Sequence, residues 1–348
     1  MSALAILWFF LIFLLIAGYF VLDGFDLGVG ILYPFLCKDD RDRQVCRRSI
    51  GPVWDGNEVW LLTAGGALFA AFPDAYATTF SGFYLAIMLV LFALIVRAVC
   101  FEFYEGDKKW RPVWNACFFL GSLLPAILFG VAVGNVIAGI PMDADGNYTG
   151  IPLLGLITPF TLLTGLLGLA MFVSAGACWL ALKAPLGSEL QQQAAKLRLP
   201  SQLISFVLFA ALTILLFAMM GNTMEMAPEL EIPRFLCAAL FVVGLAFAMI
   251  LDYNGRKTGE SRSYLWVFLG QCVAAVALVF LVACSMFPVL VMASPDSVGA
   301  PLTLMSAGAT DASLGYMTVI LCIGLPLVLV YHVLIYRTFR GRVAIEAE

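Results

Sequence analysis

Long apolar runs, interrupted by short polar segments, make up most of the chain. A helix that crosses a membrane needs about 20 predominantly apolar residues, because it rises ~1.5 Å per residue through a hydrocarbon layer ~30 Å thick. We count nine such runs, which predict an all-α polytopic membrane protein built as a single transmembrane domain over residues 1–348. The predicted spans cover roughly 3–36, 55–72, 79–103, 113–140, 153–182, 201–220, 234–252, 264–292 and 313–336.

The composition of the chain agrees with this pattern. Hydrophobic residues make up 62% of the 348 residues and charged residues only 12%, whereas charged residues are about a quarter of an ordinary soluble domain. A soluble globular protein is therefore excluded. The first run has no basic leading region and no small-residue cleavage site, so we interpret it as a retained span and not as a signal peptide.

Basic residues are distributed unevenly between the two ends of the predicted spans. Of the 19 lysines and arginines, 17 lie in the segments at one end, Arg97 lies inside the third span, and only Arg234 lies at the other end. Loops rich in Lys and Arg stay on the cytoplasmic side of a membrane. This predicts nine transmembrane helices with the N-terminus in the periplasm and the C-terminus in the cytoplasm. The net charge of −4 sums two faces of opposite character and does not indicate nucleic-acid binding.

Ionisable side chains inside the spans are concentrated in the first three. They are Asp23 and Asp26 in span 1, Asp55 and Glu58 in span 2, and Arg97 and Glu102 in span 3. All of them fall near the basic end of their spans, so three helices bring them to one depth. A charge inside a membrane is costly unless it is paired, neutralised or hydrated, and such residues therefore predict a functional site. Protons cross the membrane along chains of such ionisable groups and water molecules.

Two simpler interpretations of these acids stay open. Asp55 precedes Glu58 by three residues at the start of a span, which is typical of a helix N-cap and its capping-box partner. The two acids of span 1 stand beside Gly24 and Gly28, a pair of small residues that lets another helix approach closely. Those acids would then reach toward the membrane surface. Neither interpretation explains why the acids are confined to the first three spans.

Cysteine and histidine give little sign of a metal centre. Most of the nine cysteines lie inside spans, and neither a CxxC nor a CxxCH motif occurs, so we predict no disulfide framework and no metal site. The single histidine, His332, lies near the inner end of the last span, where a packing role is favoured over haem ligation. The linker 183–199 is amphipathic and short, which predicts a helix on the membrane surface.

Four segments resemble subunit II of the cytochrome bd-type quinol oxidases, the family that includes the cyanide-insensitive oxidases. They are GFDLGVG at 24–30, GPVWDGNEVWLLTAGGALFAAFP at 51–73, AYATTFSGFYLAIMLVL at 75–91 and the RxVxFEF stretch at 97–103. The string WDGN followed by TAGGALFAA is long and specific. The strongest similarity covers the first third of the chain, and nine spans with an outer N-terminus fit the whole length.

The resemblance implies a complex of the bacterial cytoplasmic (inner) membrane that oxidises quinol and reduces dioxygen to water. Such a complex generates a proton motive force without pumping. Two haems b and one haem d are implied to belong to the partner, a haem-bearing subunit I, so that this chain is not catalytic alone. The resemblance leaves open which quinol is used, whether a structural quinone or a lipid is bound in this chain, and whether small single-span accessory subunits attach.

The resemblance also implies a role for the acids, because subunit II is thought to supply part of the proton route from the cytoplasm. The acid of WDGN and the acid of the RxVxFEF stretch correspond to Asp55 and Glu102. Some relatives have Asp at position 102, and Glu keeps the carboxylate. We therefore predict a proton route with supporting residues around it. The route comprises Asp55, Glu102, Asp26, Asp23 and Glu58, and the supporting residues are Arg97, Trp54, Trp60 and Asn57.

Two other classes of protein compete with this prediction. A proton-coupled secondary transporter also carries acids in its spans, but its site lies near the midplane between inverted repeats, and no repeat is visible here. A purely structural partner subunit is the third class. Within the oxidase hypothesis, we also predict that spans 1 to 3 bury an apolar face against subunit I. That face would contain Trp54, Trp60, Gly24 and Gly28.

Overall fold

Eleven α-helices and a short β-hairpin form the computed structural model, which describes residues 2–104, 106, 108–220, 227–258 and 263–344. The long helices are α1 (Ala3–Leu36), α3 (Trp54–Ala71), α5 (Tyr84–Phe103), α6 (Arg111–Ala138), α7 (Pro159–Lys183), α8 (Glu189–Met220), α9 (Glu231–Thr258), α10 (Ser263–Met286) and α11 (Asp311–Thr338). The short elements are the helices α2 (Asp40–Ile50) and α4 (Pro73–Gly82) and the antiparallel strands β1 (Val289–Val291) and β2 (Leu302–Thr303).

Each of the nine predicted spans overlaps one of the long helices. Eight of these helices are long and apolar enough to cross a membrane. The exception is α3, whose 18 residues begin with the polar stretch around Asp55, Asn57 and Glu58. The chain is therefore a multi-pass membrane protein with eight strongly apolar helices, and α3 is a ninth long helix that starts with polar groups.

Three predicted spans have different ends in the structure. The structure divides 79–103 into α4 and α5 at Phe83, ends 264–292 at Met286, and starts 153–182 only at Pro159. Glycine or proline stands close to each of these positions. Glycine weakens a helix, and proline lacks the amide hydrogen that a helix interior needs but fits its first turn. Apolar character therefore continues beyond the residues that are helical.

The surface helix predicted over 183–199 is wrong. Residues from Glu189 onward are the first turns of α8, which continues without a break through the predicted sixth span. Leu190 and Ala194 are buried in these turns. Arg198 is also buried and forms an ion pair with Asp252 of α9, at its predicted inner end. The segment joins the helix bundle because its apolar side packs against other helices instead of the membrane surface.

Helix α1 lies at the centre of the bundle, where it contacts α3, α6, α7 and α10. The close approach predicted for Gly24 and Gly28 is confirmed, with α7 as the neighbour. A Cβ atom added to Gly28 would lie 1.9 Å from the carbonyl oxygen of Phe172, which is far inside contact distance. The two backbones therefore meet directly at this position. This contact fixes the half of α1 that carries Asp23 and Asp26.

Helices α5, α3 and α11 lie side by side at their basic ends. Phe101 of α5 packs on Trp54 of α3, and Trp60 of α3 packs on His332 of α11. Leu314 and His332 are the buried residues of α11, so most of this helix is not covered by the rest of the chain. We call the outward side of these three helices the α5–α3–α11 surface. Its large exposed apolar residues include Phe92, Ile95, Phe103, Leu62, Phe69, Ile320, Ile323 and Leu327.

Candidate functional site: a carboxylate cluster on three helices

The predicted acids of α1 and α3 meet around Arg97 of α5. Arg97 is only 1% exposed. Its Nη1 atom lies 3.1 Å from Oδ1 of Asp23 and 3.3 Å from Oε1 of Glu58. One guanidinium thus joins two carboxylates from two different helices. Charge-assisted hydrogen bonds of this kind are about twice as strong as neutral ones, so the contact connects α1, α3 and α5.

Asp26 lies in the same cluster but receives its hydrogen bond from an amide. Its Oδ2 atom accepts from Nδ2 of Asn57 at 2.7 Å, and the same amide donates to the carbonyl oxygen of Leu22 at 3.0 Å. Tyr336 of α11 donates its hydroxyl to Oδ1 of Asn57 at 3.0 Å. Among the described residues, the buried Oδ1 atom of Asp26 and Nη2 atom of Arg97 have no hydrogen-bond partner.

Asp55 and Glu102 lie outside the buried cluster. Both side chains belong to exposed residues, and Glu102 is close enough for its charge to act on Asp55. The charge of Asp55 in turn acts on Glu58, whose side chain is 24% exposed. The acids therefore form a series from the exposed pair, through partly buried Glu58, to the buried acids of α1. The structure brings three of the five predicted route residues, Asp23, Asp26 and Glu58, into the buried cluster and leaves Asp55 and Glu102 exposed.

The capping-box interpretation of Asp55 and Glu58 is wrong. The N-cap of α3 is Val53, which makes no side-chain capping hydrogen bond, and Asp55 already lies in the first turn. Because the helix starts at Trp54, Asp55 stands two positions after the N-cap and cannot cap its own helix through the expected bond. Glu58 faces Arg97 and not the N-cap amide. Both acids therefore stand at this end of α3 without a capping role.

The predicted contact of Trp54, Trp60, Gly24 and Gly28 with a partner is also wrong. Trp54 is 7% and Trp60 8% exposed, and the two glycines pack against α7. Trp54 packs against Phe101, with 5.6 Å between ring centroids, and is not part of the carboxylate cluster. These four residues therefore make their contacts within this chain. The α5–α3–α11 surface, by contrast, is apolar and uncovered within this chain.

The chain was compared with known protein families. The sequence profile of the family described as cytochrome bd terminal oxidase subunit II matches residues 4–339. The chain belongs to this family. The family resemblance inferred from the four sequence segments is therefore confirmed. This bd oxidase subunit is part of an oxidoreductase complex, and a subunit II implies a subunit I and haems in that complex.

Individual relatives agree with the family. The chain is 32% identical to cytochrome bd-I ubiquinol oxidase subunit 2 of Escherichia coli (strain K12) over 371 residues, covering 99% of this chain and 96% of the relative. It is 36% identical to cytochrome bd ubiquinol oxidase subunit 2 of Bacillus subtilis (strain 168), covering 99% and 98%. A chain of the bd oxidase structure from Geobacillus thermodenitrificans shares the fold, with a TM-score of 0.77 at 17% identity and coverage of 97% and 99%.

His332 of this bd oxidase subunit uses both of its ring nitrogens for hydrogen bonds. Nε2 lies 3.1 Å from the indole Nε1 of Trp60, and Nδ1 lies 2.9 Å from the carbonyl oxygen of Val328. Because indole only donates and a carbonyl only accepts, the imidazole is neutral and carries its hydrogen on Nδ1. It has no nitrogen left for a haem iron. No group of three His, Cys, Asp or Glu within the described residues suits a metal ion.

We expect His332→Ala to leave the haem content of the purified complex unchanged. The substitution removes the acceptor of the Trp60 indole, which costs about 1 to 3 kcal/mol when a buried donor loses its partner. The complex should therefore assemble and lose some thermal stability. Haem per complex is measured from the absorption spectrum after denaturation. Loss of one haem from this variant would contradict the assignment of His332 to packing.

Sequence reasoning missed the contribution of α11 to the site. Tyr336 bonds Asn57 directly, and His332 bonds Trp60. His332 and Tyr336 are four residues apart and therefore lie on one face of a helix. This spacing is the feature of the sequence that could have indicated their shared role. On α1, the buried Tyr19 stands four residues before Asp23 and is a second missed neighbour.

Proposed function

We propose that this chain conducts protons from the cytoplasm toward subunit I of a bd-type quinol oxidase. In this proposal, subunit I carries two haems b and haem d, oxidises quinol and reduces dioxygen to water. This chain crosses the bacterial inner membrane nine times, with its N-terminus in the periplasm and its C-terminus in the cytoplasm. The observation that carries the proposal is the buried cluster of Asp23, Asp26 and Glu58 around Arg97 and Asn57. Asp55 and Glu102 are exposed beside it, where α3 and α5 pack together.

Charge balance in the buried cluster supports an exchangeable proton. The carboxyls of Asp23, Asp26 and Glu58 can hold three negative charges, and Arg97 supplies one positive charge. Two uncompensated negative charges inside a membrane protein would cost more than binding a proton. The cluster therefore holds at least one proton. Reduction of dioxygen to water consumes protons as well as electrons, so a store of this kind suits the family's reaction.

The second buried ion pair of the chain provides a contrast. Arg198 of α8 and Asp252 of α9 are 2% and 0% exposed, and they pair one acid with one base. A balanced pair needs no proton to become neutral overall. It joins two helices and can do so without exchanging protons. Of the two buried ion-pair sites just compared, only the cluster on α1, α3 and α5 has an excess of acid.

The exposed acids indicate that the α5–α3–α11 surface is covered in the complex. Asp55 and Glu102 lie on helices whose neighbouring residues are exposed and apolar. Lipid chains cannot solvate a carboxylate, so these acids need water or a protein partner around them. We propose subunit I as that partner, with Asp55 and Glu102 at the contact.

Purification through a tag on this chain tests the assignment to an oxidase. We expect the complex to show haem absorption and to consume oxygen when quinol is supplied.

Expressed without subunit I, the chain should aggregate or be degraded, because the α5–α3–α11 surface is then uncovered. A monodisperse, haem-free chain from the same cells that hold the partner would favour the transporter class instead.

The route itself is tested by Glu102→Gln. Glutamine keeps the size of the side chain and cannot exchange a proton. We expect quinol-driven oxygen uptake, normalised to haem, to fall severalfold while the haem spectrum stays unchanged. Glu102→Asp keeps the carboxylate and should retain most of the activity. Wild-type turnover by Glu102→Gln would remove Glu102 from the proposed route.

A further inference from the structure

A cavity of about 790 Å³ lies at the basic end of the bundle. It is bounded by α2, the ends of α5, α7 and α11, and the segment 339–344 that follows α11. Pockets that bind whole small organic ligands occupy about 300–1,000 Å³, so the space exceeds the needs of a single ion. The acids of the carboxylate cluster do not line the cavity, although Tyr336, whose hydroxyl donates to Asn57, stands in its wall.

Four basic residues line this cavity, and its described lining contains no acid. They are Arg47, Arg48, Lys183 and Arg342. None of the four forms an ion pair with a described acid. Like charges gathered in a partly buried space repel one another, since the local dielectric constant is lower than that of water. An anion inside the cavity would turn this repulsion into attraction.

The two most buried of these cations are held by neutral groups. Lys183 is 6% exposed and donates to the carbonyl oxygen of Phe339. Arg47 is also 6% exposed, and it donates to the Tyr33 hydroxyl at 3.3 Å and to the Cys100 carbonyl oxygen at 3.0 Å. The Nη2 atom of Arg47 has no hydrogen-bond partner among the described residues. The guanidinium carbon of Arg47 lies 3.7 Å from the ring centroid of Tyr104. Aromatic faces and neutral oxygens, and not a carboxylate, therefore surround this cation.

Arg342 fixes the segment after α11 across the end of α7. It donates to the carbonyl oxygens of Ala181 and Ala184, and the amide of Val343 donates to the carbonyl oxygen of Lys183 at 2.8 Å. Burial lowers the pKa of the Arg342 guanidinium from its ordinary value. The chain thus holds a cation where its charge is disfavoured. A bound anion would offset that cost.

Five aromatic side chains also line the cavity. They are Phe101, Tyr104, Trp179, Tyr336 and Phe339. Trp and Tyr are enriched where a membrane meets water, because their rings are apolar and their edges are polar. The cavity lies where the apolar helices α7 and α11 end, which is that boundary. A ligand that is anionic at one end and apolar at the other fits these walls.

We propose that this cavity binds the phosphate headgroup of an anionic phospholipid from the leaflet at the basic face. Basic pockets between membrane helices on this side of proteins bind such headgroups. The four cations would contact the phosphate, and the aromatic wall would contact the glycerol and the first part of the acyl chains. This lipid site does not depend on the proton route. It would keep the segment after α11 in place against α7.

The test uses the whole complex, purified through this chain, stripped of lipid and placed in phosphatidylcholine nanodiscs. Phosphatidylglycerol is then titrated in, and the bound lipid is counted by native mass spectrometry. We expect one tightly held phosphatidylglycerol. Because each basic residue near an anionic lipid surface contributes about 1 kcal/mol, Arg48→Gln with Arg342→Gln should weaken its binding about thirtyfold. Equal retention by the wild type and this double variant would overturn the proposal.

The matched control is Arg41→Gln with Arg340→Gln. Arg41 is exposed on α2 and Arg340 is exposed after α11, and neither lines the cavity. This pair removes the same charge from the same two segments and should keep the lipid. Arg342→Lys keeps the charge with different hydrogen bonds, so it should bind the lipid better than Arg342→Gln. If only the geometry of the segment mattered, both single variants would lose the lipid equally, which would contradict a charge-based site.

Inorganic phosphate serves as the second probe. If the cavity were a site for free phosphate, phosphate would raise the thermal denaturation midpoint of the complex as much as phosphatidylglycerol does. Phosphate would then also displace the lipid. That result would overturn the lipid assignment. We expect phosphate to give little protection, because it cannot contact the aromatic wall. Quinol-driven oxygen uptake is measured in parallel, since a lost lipid with normal turnover separates this site from the proton route.

Discussion

Asp55→Asn is expected to lower quinol-driven oxygen uptake by about tenfold or more while the complex assembles with its full haem content. Asparagine has the size and the hydrogen-bonding oxygen of aspartate, but it cannot take up and release a proton. A tenfold loss corresponds to about 1.4 kcal/mol of added barrier, which is small for the loss of one proton carrier. Oxygen uptake by the purified variant is measured with saturating quinol and normalised to haem.

The structural cost of this substitution is expected to be small. Asp55 is exposed within this chain and does not cap α3. Its remaining structural contribution is a charge in the first turn of a helix, which is worth about 0.3–1 kcal/mol at an exposed site. Normal assembly with low turnover would therefore separate proton exchange from structure. Asp55→Glu should restore part of the activity, because it restores the carboxylate at a slightly different position.

Asp74→Asn is the matched control for Asp55→Asn. Asp74 also lies in the first turn of an exposed helix end, α4, but at the opposite, acidic end of the bundle. The two substitutions remove the same charge from the same kind of position. We expect wild-type oxygen uptake from Asp74→Asn. If Asp55→Asn also turns over at the wild-type rate, Asp55 is not part of the proton route.

The helices could be predicted well because a membrane imposes a simple rule on the sequence. Every long apolar run became a helix, since backbone groups inside a membrane must be hydrogen-bonded within their own segment. The ends were predicted less well. Residues 287–292 are apolar and were assigned to a span, but Pro288 interrupts the helix there and β1 follows. An apolar segment can be predicted to be buried, but its apolar character does not show whether its backbone hydrogen bonds continue as a helix.

The acids of the site could be predicted because charges in spans are rare. Their partners were less predictable. Arg97, predicted only as a supporting residue, contacts two carboxylates, and Asp26 lies beside the amide of Asn57. Tyr336 stands 279 residues from Asn57, and a tyrosine near a membrane boundary has no special sequence signal. Contacts of this kind depend on how α11 packs, which the hydrophobic pattern does not specify.

Arg97→Gln is expected to prevent most of the complex from assembling. Arg97 is 1% exposed and is the cation that faces both Asp23 and Glu58. Removing one partner from a buried ion pair costs about 3–5 kcal/mol, because the remaining charge is left uncompensated. In this case two carboxylates on different helices lose their cation. The yield of haem-containing complex per cell and its thermal denaturation midpoint measure the effect.

A double variant distinguishes lost charge balance from lost packing. Arg97→Gln combined with Asp23→Asn removes one positive and one negative charge and leaves two amides that can hydrogen-bond. We expect the double variant to recover a large part of the assembled complex. If the loss came from the shorter side chain alone, the second substitution would bring no recovery.

Arg43→Gln is the control for the chemical change itself. Arg43 pairs with Asp40 at 2.9 Å on α2, and both side chains are substantially exposed, at 34% and 61%. Exposed ion pairs contribute about 0–1 kcal/mol because water screens them and both side chains lose freedom. The same Arg-to-Gln change should therefore leave assembly nearly unchanged. Equal and mild effects of Arg43→Gln and Arg97→Gln would mean that the carboxylate cluster does not hold α1, α3 and α5 together.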